Sequence, residues 1–442
     1  MHDLAEQLDA ICPTGLSGSV AHSVGMTIAA AGFPAPVGAL VEIDRDDGSQ
    51  LRAQVIGFRD ELTLLYPLGA ARAVRRGNRV RLVRTARRLR VGDELLGRVL
   101  DADGEVIDGK PRPALADRTP LDRQPPSPCR RPAIDAPLAT GIRVIDGLLT
   151  CGRGQRLGIF AGSGVGKSVL LGMMARHTEA DVIVIGLIGE RGREVNEFLQ
   201  RDLGPEGLAK SVVVVATSDE PALTRVNAAL AATAVAEYFR DRGKDVLLLV
   251  DSLTRVALAQ REIGLAAGEP PAARGYPPSV FALLPGLVER AGRDESGSIT
   301  ALYNVLVEAD DPQEPVADAL RGLLDGHVWL SRKLASRGHY PAIDVLESLS
   351  RLMPTVADAE HRKAAVLLRE LLAAHRDHED LISIGAYRQG GNPTVDRALA
   401  LERPIKEYLT QSIEEPADFA AARERLVALM QQAEEGTADE RG

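Results

Sequence analysis

The chain has 442 residues, of which 45% are hydrophobic and 26% charged, and it carries a net charge of −9. That length allows about two to four domains with sizeable cores, and the acidic balance argues against a protein whose main task is coating nucleic acid. Three scattered cysteines (Cys12, Cys129 and Cys151) with no Cys-x-x-Cys pair exclude a disulfide framework and a zinc site, and fit a reducing compartment.

Residues 2–12 place Leu4, Leu8 and Ile11 on one helical face. This is either a short helix lying on its own domain or a docking helix for a partner. No signal peptide is visible around Asp3 and Glu6, and the longest apolar runs, Val182–Ile188 and Val246–Val250, are too short to span a bilayer. A cytoplasmic location is therefore expected. From Gly15 to Arg90, short alternating segments separated by Gly, Pro and Asp-Asp-Gly turns predict a small antiparallel β domain, sandwich or barrel. Its end is rich in arginine (Arg72, Arg75, Arg76, Arg79, Arg81, Arg84, Arg87, Arg88 and Arg90). That run is either a solvated face or a contact for nucleic acid or an acidic membrane surface. Val91 to Pro137 reads as turns and a linker, and its Asp-rich turns lack the Glu that a calcium loop needs at its twelfth position.

Residues 138–350 alternate strand and helix. Strands are expected at 157–161, 181–188, 211–216, 245–250 and 299–305, with helices at 168–177, 193–202, 221–240 and 316–322. Continuous apolar strands alternating with helices predict a parallel sheet buried on both faces, whose ligands sit at the strands' carboxyl ends. Beyond Arg351 the pattern is helical: Ala364, Leu367, Leu368, Leu371 and Leu372 form one stripe, and Phe419, Leu426, Val427 and Met430 another. Asn392-Pro393 has the form of an N-cap followed by proline at the first helical position. His375 and His378 lie in a charged helical run and read as solvated rather than metal-binding, and the polar tail from Glu434 to Gly442 is expected to fray. The expected division is a β domain over 1–90, an α/β nucleotide-binding domain over 91–354 and a helical domain over 355–442.

One stretch organises these elements. Gly158–Gly172 runs from an apolar strand through a glycine-rich turn and Gly-Lys-Ser into a helix, the form of a phosphate-binding P-loop. A triphosphate must approach the backbone closely, so Gly162, Gly164 and Gly166 omit side chains and allow unusual dihedrals. The helix N-terminus then faces the anion. The expected nucleotide contacts are Gly162, Ser163, Gly164, Val165, Gly166, Lys167, Ser168 and Val169, with Lys167 on the β- and γ-phosphates and the Ser168 hydroxyl on Mg²⁺. Ala161 replaces the usual first glycine, a mild change in the turn. The apolar run Val246–Val250 ends in Asp251, a second candidate Mg²⁺ ligand. Glu190 ends another apolar strand and is placed to orient and polarise water for in-line attack. Arg191 and Arg193 beside it could contact phosphate or pair with Glu194.

Several runs carry a family resemblance. Ala161–Ser168, Gly189-Glu-Arg-Gly-Arg-Glu-Val, Leu249-Val-Asp-Ser-Leu-Thr-Arg, Gly275-Tyr-Pro-Pro-Ser-Val-Phe and Gly338-His-Tyr-Pro-Ala-Ile-Asp-Val resemble the core of the rotary ATPase superfamily, which includes the catalytic β subunit of ATP synthase. Thr150-Cys-Gly-Arg-Gly-Gln-Arg, Arg274-Gly-Tyr-Pro-Pro-Ser-Val and Leu324-Asp-Gly-His-Val-Trp-Leu-Ser-Arg resemble type III export ATPases, and the P-loop with its following helix is most similar to the flagellum-specific group. The resemblance implies an α/β protein with an N-terminal β-barrel, a RecA-like P-loop ATPase domain and a C-terminal helical domain, hydrolysing ATP with Mg²⁺ as a homohexameric ring. It implies Glu190 as the catalytic glutamate, Arg191 as a phosphate-side arginine and Arg351 as an arginine finger donated across the interface, a group worth about 10³ to 10⁵ in rate. Tyr340 matches the aromatic that packs near adenine, and Tyr387 is a candidate for the other side.

The implied partners are a stator-like regulatory protein, a central stalk-like protein, export-gate membrane proteins, and exported substrates or their chaperones, with no specific nucleic acid. The implied place is peripheral to the export apparatus at the inner membrane. The segment before the β domain is shorter than in the flagellar group, where it docks the regulatory partner, which leaves that interaction open. Val328-Trp329 replaces two aliphatics, a packing change. The alternatives are an injectisome ATPase, a catalytic subunit of a rotary proton-translocating synthase and a ring-shaped nucleic-acid translocase.

Overall fold

The computed structural model describes residues 15–307 and 314–435, so the helix expected at 2–12 and the tail beyond 435 lie outside the described residues. The first six strands are β1 (Ser17–Val24), β2 (Thr27–Ala31), β3 (Leu40–Asp44), β4 (Gln50–Arg59), β5 (Leu62–Pro67) and β6 (Arg79–Arg84). They close into a barrel in the order β1-β2-β5-β4-β3-β6. Period-two alternation fills it: Leu51, Ala53 and Val55 of β4 point inward with Val41, Ile43, Leu65 and Val80, while Gln50 and Arg52 face solvent. Closure leaves no free sheet edge, which settles barrel over sandwich. In the arginine run, Arg75 pairs with Asp46 at 2.6 Å, Arg81 with Asp44 at 3.3 Å and Arg87 with Asp103 at 2.9 Å, while Arg72, Arg76 and Arg79 are exposed. Part of the run therefore serves local ion pairs, and part is a solvated face.

The segment expected to be a linker does more than connect. β7 (Arg88–Val91) pairs antiparallel with β9 (Asp117–Pro120), and between them β8 (Arg98–Leu100) joins the edge of the central sheet. A three-residue strand is too short to show a periodicity, which is why its sequence reads as turns. Its own Val99 and Leu100, and Leu95 and Leu121 on either side of it in the chain, are nevertheless buried.

The central sheet adds β10 (Arg156–Ala161), β11 (Val182–Glu190), β12 (Ser211–Thr217), β13 (Asp245–Asp251), β14 (Gly292–Arg293), β15 (Ser298–Leu306), β16 (Gly326–Leu330) and β17 (Ile343–Ser350). Its order is β17-β16-β10-β15-β13-β11-β12-β8, with β14 paired to β15 off that path. Pairing is parallel from β16 through β8, while β14 and β17 run antiparallel to their neighbours. Each apolar strand feeds two cores by alternation. Phe160, Val184, Val214, Leu248 and Val250 pack on one face with the helices Ala222–Arg240, Leu253–Ala267 and Pro278–Val288. Ile159, Ile185, Val213, Leu247 and Leu249 pack on the other with the helix Lys167–His177 and the C-terminal helices Ala359–Asp377 and Phe419–Glu435.

The helix expected at 193–202 is instead Gly192–Glu197, a π-helical turn over Phe198–Leu203, and Gly204–Ala209. Trp329 stacks on Phe160 with ring centroids 6.2 Å apart, and Val328 is buried, so the departure at this pair is accommodated by packing.

The C-terminal helices dock through polar contacts as well as through the shared core. Buried Arg143 donates to the carbonyls of Tyr408 and Thr410 and pairs with Glu415 at 2.8 Å. Gln411 accepts from the Arg143 backbone and donates to the Gly141 carbonyl, both at 2.9 Å, and His361 Nε2 lies 2.7 Å from the Gly147 carbonyl.

Candidate active site

Strand β10 delivers the chain into the P-loop, and the helix Lys167–His177 leaves it. Of the three loop glycines, Gly164 and Gly166 take φ of +79° and +89°, the left-handed region that favours glycine, and Gly166 is the residue just before the helix. Val165 is turned into the core, where it anchors the loop, and Val169 packs half-buried against the same core. Ser163 and Gly164 are exposed at the loop's crest. Ser168 stands in the first turn of the helix.

Three charged groups converge beside the loop. Lys167 Nζ donates to Asp251 Oδ1 at 2.8 Å and lies 3.6 Å from Glu190 Oε1. Asp251 ends β13 and Glu190 ends the neighbouring β11, so the strand ends predicted to carry the chemistry are adjacent. All three side chains are at most 14% exposed. Burial pushes the Glu190 carboxyl above the usual range and the nearby Asp251 adds to this, while Lys167 and Arg255 oppose it. A carboxyl with a raised proton affinity at a strand end suits proton acceptance from water.

Two residues that the sequence reading passed over complete the cluster. Arg255 Nε lies 3.6 Å from Glu190 Oε1, and its stem covers Gly189, where an added Cβ would sit 2.6 Å from Arg255 Cδ. Asn304 Nδ2 donates to Asp251 Oδ1 at 2.6 Å from within β15. Signals for both were present. Arg255 closes the run Leu249–Arg255, in the first turn of a helix that begins just past Asp251, and Asn304 is the one amide side chain in its strand.

The remaining candidates are more dispersed. Arg191 is exposed and pairs with Glu194 at 3.5 Å, at the start of the helix Gly192–Glu197. The Tyr340 ring lies against the P-loop, its edge carbons 3.4 and 3.5 Å from where a Cβ on Gly166 would stand, and the side chain is 46% exposed. Tyr387 is engaged elsewhere: its hydroxyl contacts Asp396 at 2.9 Å and the Asn392 carbonyl at 3.1 Å, and its ring meets His378. Arg351 follows β17 and is exposed, its backbone N–H bonded to the Asp325 carbonyl.

The donor set fits a divalent cation. A carboxylate and a hydroxyl lie beside the loop, and two buried acceptors, Glu190 Oε1 and Asn304 Oδ1, have no hydrogen-bond partner among the described residues. Hard oxygen donors of this kind, with room for water, are what Mg²⁺ takes.

Comparison with known proteins agrees with this geometry. Residues 141–350 match the ATP synthase alpha/beta family, nucleotide-binding domain, and residues 357–428 match the T3SS EscN ATPase C-terminal domain. The chain is 52% identical over 420 residues to a flagellum-specific ATP synthase of Pseudomonas aeruginosa, covering 94% of this chain and 93% of the relative. It is 51% identical over 414 residues to a type 3 secretion system ATPase of Xanthomonas euvesicatoria, covering 93% of each. The solved structure of the assembled ATPase EscN from the enteropathogenic E. coli type III secretion system superposes with a TM-score of 0.88 at 44% identity, over 93% of this chain and 99% of that one. With a P-loop, paired carboxylates at adjacent strand ends and relatives of this closeness along nearly its whole length, the chain belongs to the type III export ATPases, the flagellum-specific and secretion-system branch of the ATP synthase alpha/beta family.

Proposed function

We propose that the chain hydrolyses ATP with Mg²⁺ as a homohexameric ring, with each site completed by the neighbouring subunit, and that this drives protein export through a flagellar type III apparatus. The observation that carries the chemistry is the cluster Lys167–Asp251–Glu190 at the P-loop. The backbone N–H groups of Gly162–Gly166 and the Lys167 ammonium bind the phosphates. Ser168 and Asp251 would hold Mg²⁺, which when bound neutralises charge on the β- and γ-phosphates. Glu190 orients a water and takes its proton as the water's oxygen bonds to the γ-phosphorus; the bond to the β–γ bridging oxygen breaks, yielding ADP and phosphate. Arg255 holds the Glu190 carboxylate in place, and Tyr340 supplies a ring beside the loop for the adenine.

Arg351 is exposed at the end of β17, a placement that suits donation to a neighbour's γ-phosphate. Arg191 is equally exposed and suits a phosphate contact once the site is shared. A relative of known structure is an assembled ATPase, and the same ATPase has been solved in complex with its central stalk. The finer reading follows that pattern: a stalk-like protein, a stator-like regulator, export-gate membrane proteins and exported substrates or their chaperones are the partners, at the cytoplasmic side of the inner membrane. No helix among the described residues is long and apolar enough to cross a membrane. A second reading, the injectisome, is favoured by the relatives from secretion systems at the same level of identity.

The test mixes two lesions. Arg351→Ala and Glu190→Gln proteins should each lose hydrolysis by at least about 100-fold. Mixed rings should recover part of it, because some interfaces then pair an intact Glu190 with an intact Arg351. No recovery at any ratio, in rings shown to exchange subunits, refutes the shared site, and a Glu190→Gln protein with normal turnover refutes the catalytic assignment.

A further inference from the structure

Sheet order places β15 between the P-loop strand β10 and the Asp251 strand β13. Parallel register puts Val250 opposite Tyr303 and Ile159 opposite Asn304, so Asn304 stands between the root of the P-loop and Asp251. Alternation sends Leu302 and Leu249 to the core shared with the P-loop helix, and Asn304 and Asp251, two residues farther along each strand, point to that same face. Asn304 is fully buried, and its strand neighbours Leu302, Val305 and Leu306 are apolar.

The two ends of its amide behave differently. Nδ2 donates to Asp251 Oδ1 at 2.6 Å, and the same oxygen accepts from Lys167 Nζ at 2.8 Å. Both donors converge on one oxygen, so neither takes up the second. The amide cannot be turned over, because its oxygen would then face a carboxylate. Held this way, Asn304 Oδ1 is buried without a hydrogen-bond partner among the described residues. A buried acceptor is costly to leave unpaired, and an unpaired acceptor inside a site asks for a donor that arrives with the ligand.

We propose that Asn304 is a positioning residue for the metal: its amide N–H fixes Asp251 through Oδ1, and its amide oxygen accepts a hydrogen bond from a water in the shell of the divalent cation. This rests on the nucleotide-site reading above, since it assigns a role within that site. Mg²⁺ keeps several waters when it binds, and these are the donors that fit a buried carbonyl. Groups in this outer position tune metal affinity by about 10- to 100-fold.

The test uses the full chain and a fluorescent ATP analogue, titrated with MgCl₂ after EDTA treatment. Wild type should gain affinity with Mg²⁺. Asn304→Leu, of the same branched shape but lacking both donor and acceptor, should raise the Mg²⁺ half-saturation concentration by about 10-fold or more, and Asn304→Thr, whose hydroxyl both donates and accepts, should recover part of that loss. Asn304→Asp sets a second carboxylate against Asp251 and reads out without turnover: its melting temperature should fall in EDTA and be restored by MgCl₂ to a greater extent than that of wild type. If the variants match wild type in Mg²⁺ half-saturation, or if Asn304→Asp loses stability equally with and without Mg²⁺, Asn304 is only a packing residue and the inference fails. If wild type itself shows no Mg²⁺-dependent binding, the nucleotide-site reading fails instead.

Discussion

Replacing Lys167 with Met removes the one ammonium from a cluster in which two carboxylates stand on neighbouring strand ends. Lys167 and Asp251 are 14% and 4% exposed, so their pairing is only weakly screened by solvent. Breaking a buried pair by removing one partner costs about 3–5 kcal/mol. Two features here lower that figure: Asn304 continues to donate to Asp251, and Glu190, already raised by burial, can relieve repulsion by taking a proton. We therefore expect Lys167→Met to lose about 2 kcal/mol, with a similar loss for Asp251→Asn. In the double variant the loss should fall short of the sum by about 1–3 kcal/mol, because the second change removes a charge that the first left unpaired. The assay is urea unfolding of nucleotide-free protein in EDTA, followed by the emission of Trp329, the single tryptophan, which stacks on Phe160 of the P-loop strand. Additivity within about 0.5 kcal/mol would show that the two groups do not share their energy, and the convergence of charge described above would then be wrong.

Gly147 touches Tyr408 so closely that an added Cβ would stand 1.8 Å from its hydroxyl oxygen. Gly147→Ala should therefore push the C-terminal helices off Arg143 and pull His361 from the Gly147 carbonyl, and cost about 2 kcal/mol or more, read as earlier proteolysis after residue 355, and unchanged proteolysis would contradict the docking. Asp146 is fully buried, and desolvation pushes its carboxyl up to about 7, against the hydrogen bonds from Thr140 and Gly141. Because the folded value lies above the unfolded one, its stabilising contribution is complete below pH 4 and is lost as pH rises through about 7. The urea midpoint of Asp146→Asn should vary less between pH 5 and 8 than that of wild type, and parallel profiles would overturn the assignment.

Local signals were legible where a residue type has few other uses. The glycine loop with Lys167 and Ser168, the apolar strands ending in Glu190 and Asp251, and the alternating segments of the first domain each follow from one-dimensional rules of backbone freedom and periodicity. The helices Leu253–Ala267 and Pro278–Val288 and the strand β17 were not anticipated. The first follows its strand with no linker to punctuate it, the second carries an internal proline, and β17 has a mixed pattern of buried and exposed positions. Tyr340 and Tyr387 illustrate a different limit. Only packing shows that one ring lies on the P-loop while the hydroxyl of the other is taken up by Asp396.

By itself the sequence determined that Gly162–Ser168 forms the P-loop turn between strand and helix, and which strand ends carry carboxylates, because those depend on neighbours along the chain. Tertiary structure decided which strand ends meet. Insertion of β15 between β10 and β13 brings Asn304 to Asp251 across more than fifty positions of sequence, and the helix after β13 brings Arg255 back onto Gly189 and Glu190. Strand order is set by how two cores share one sheet, a long-range packing problem that leaves no local pattern.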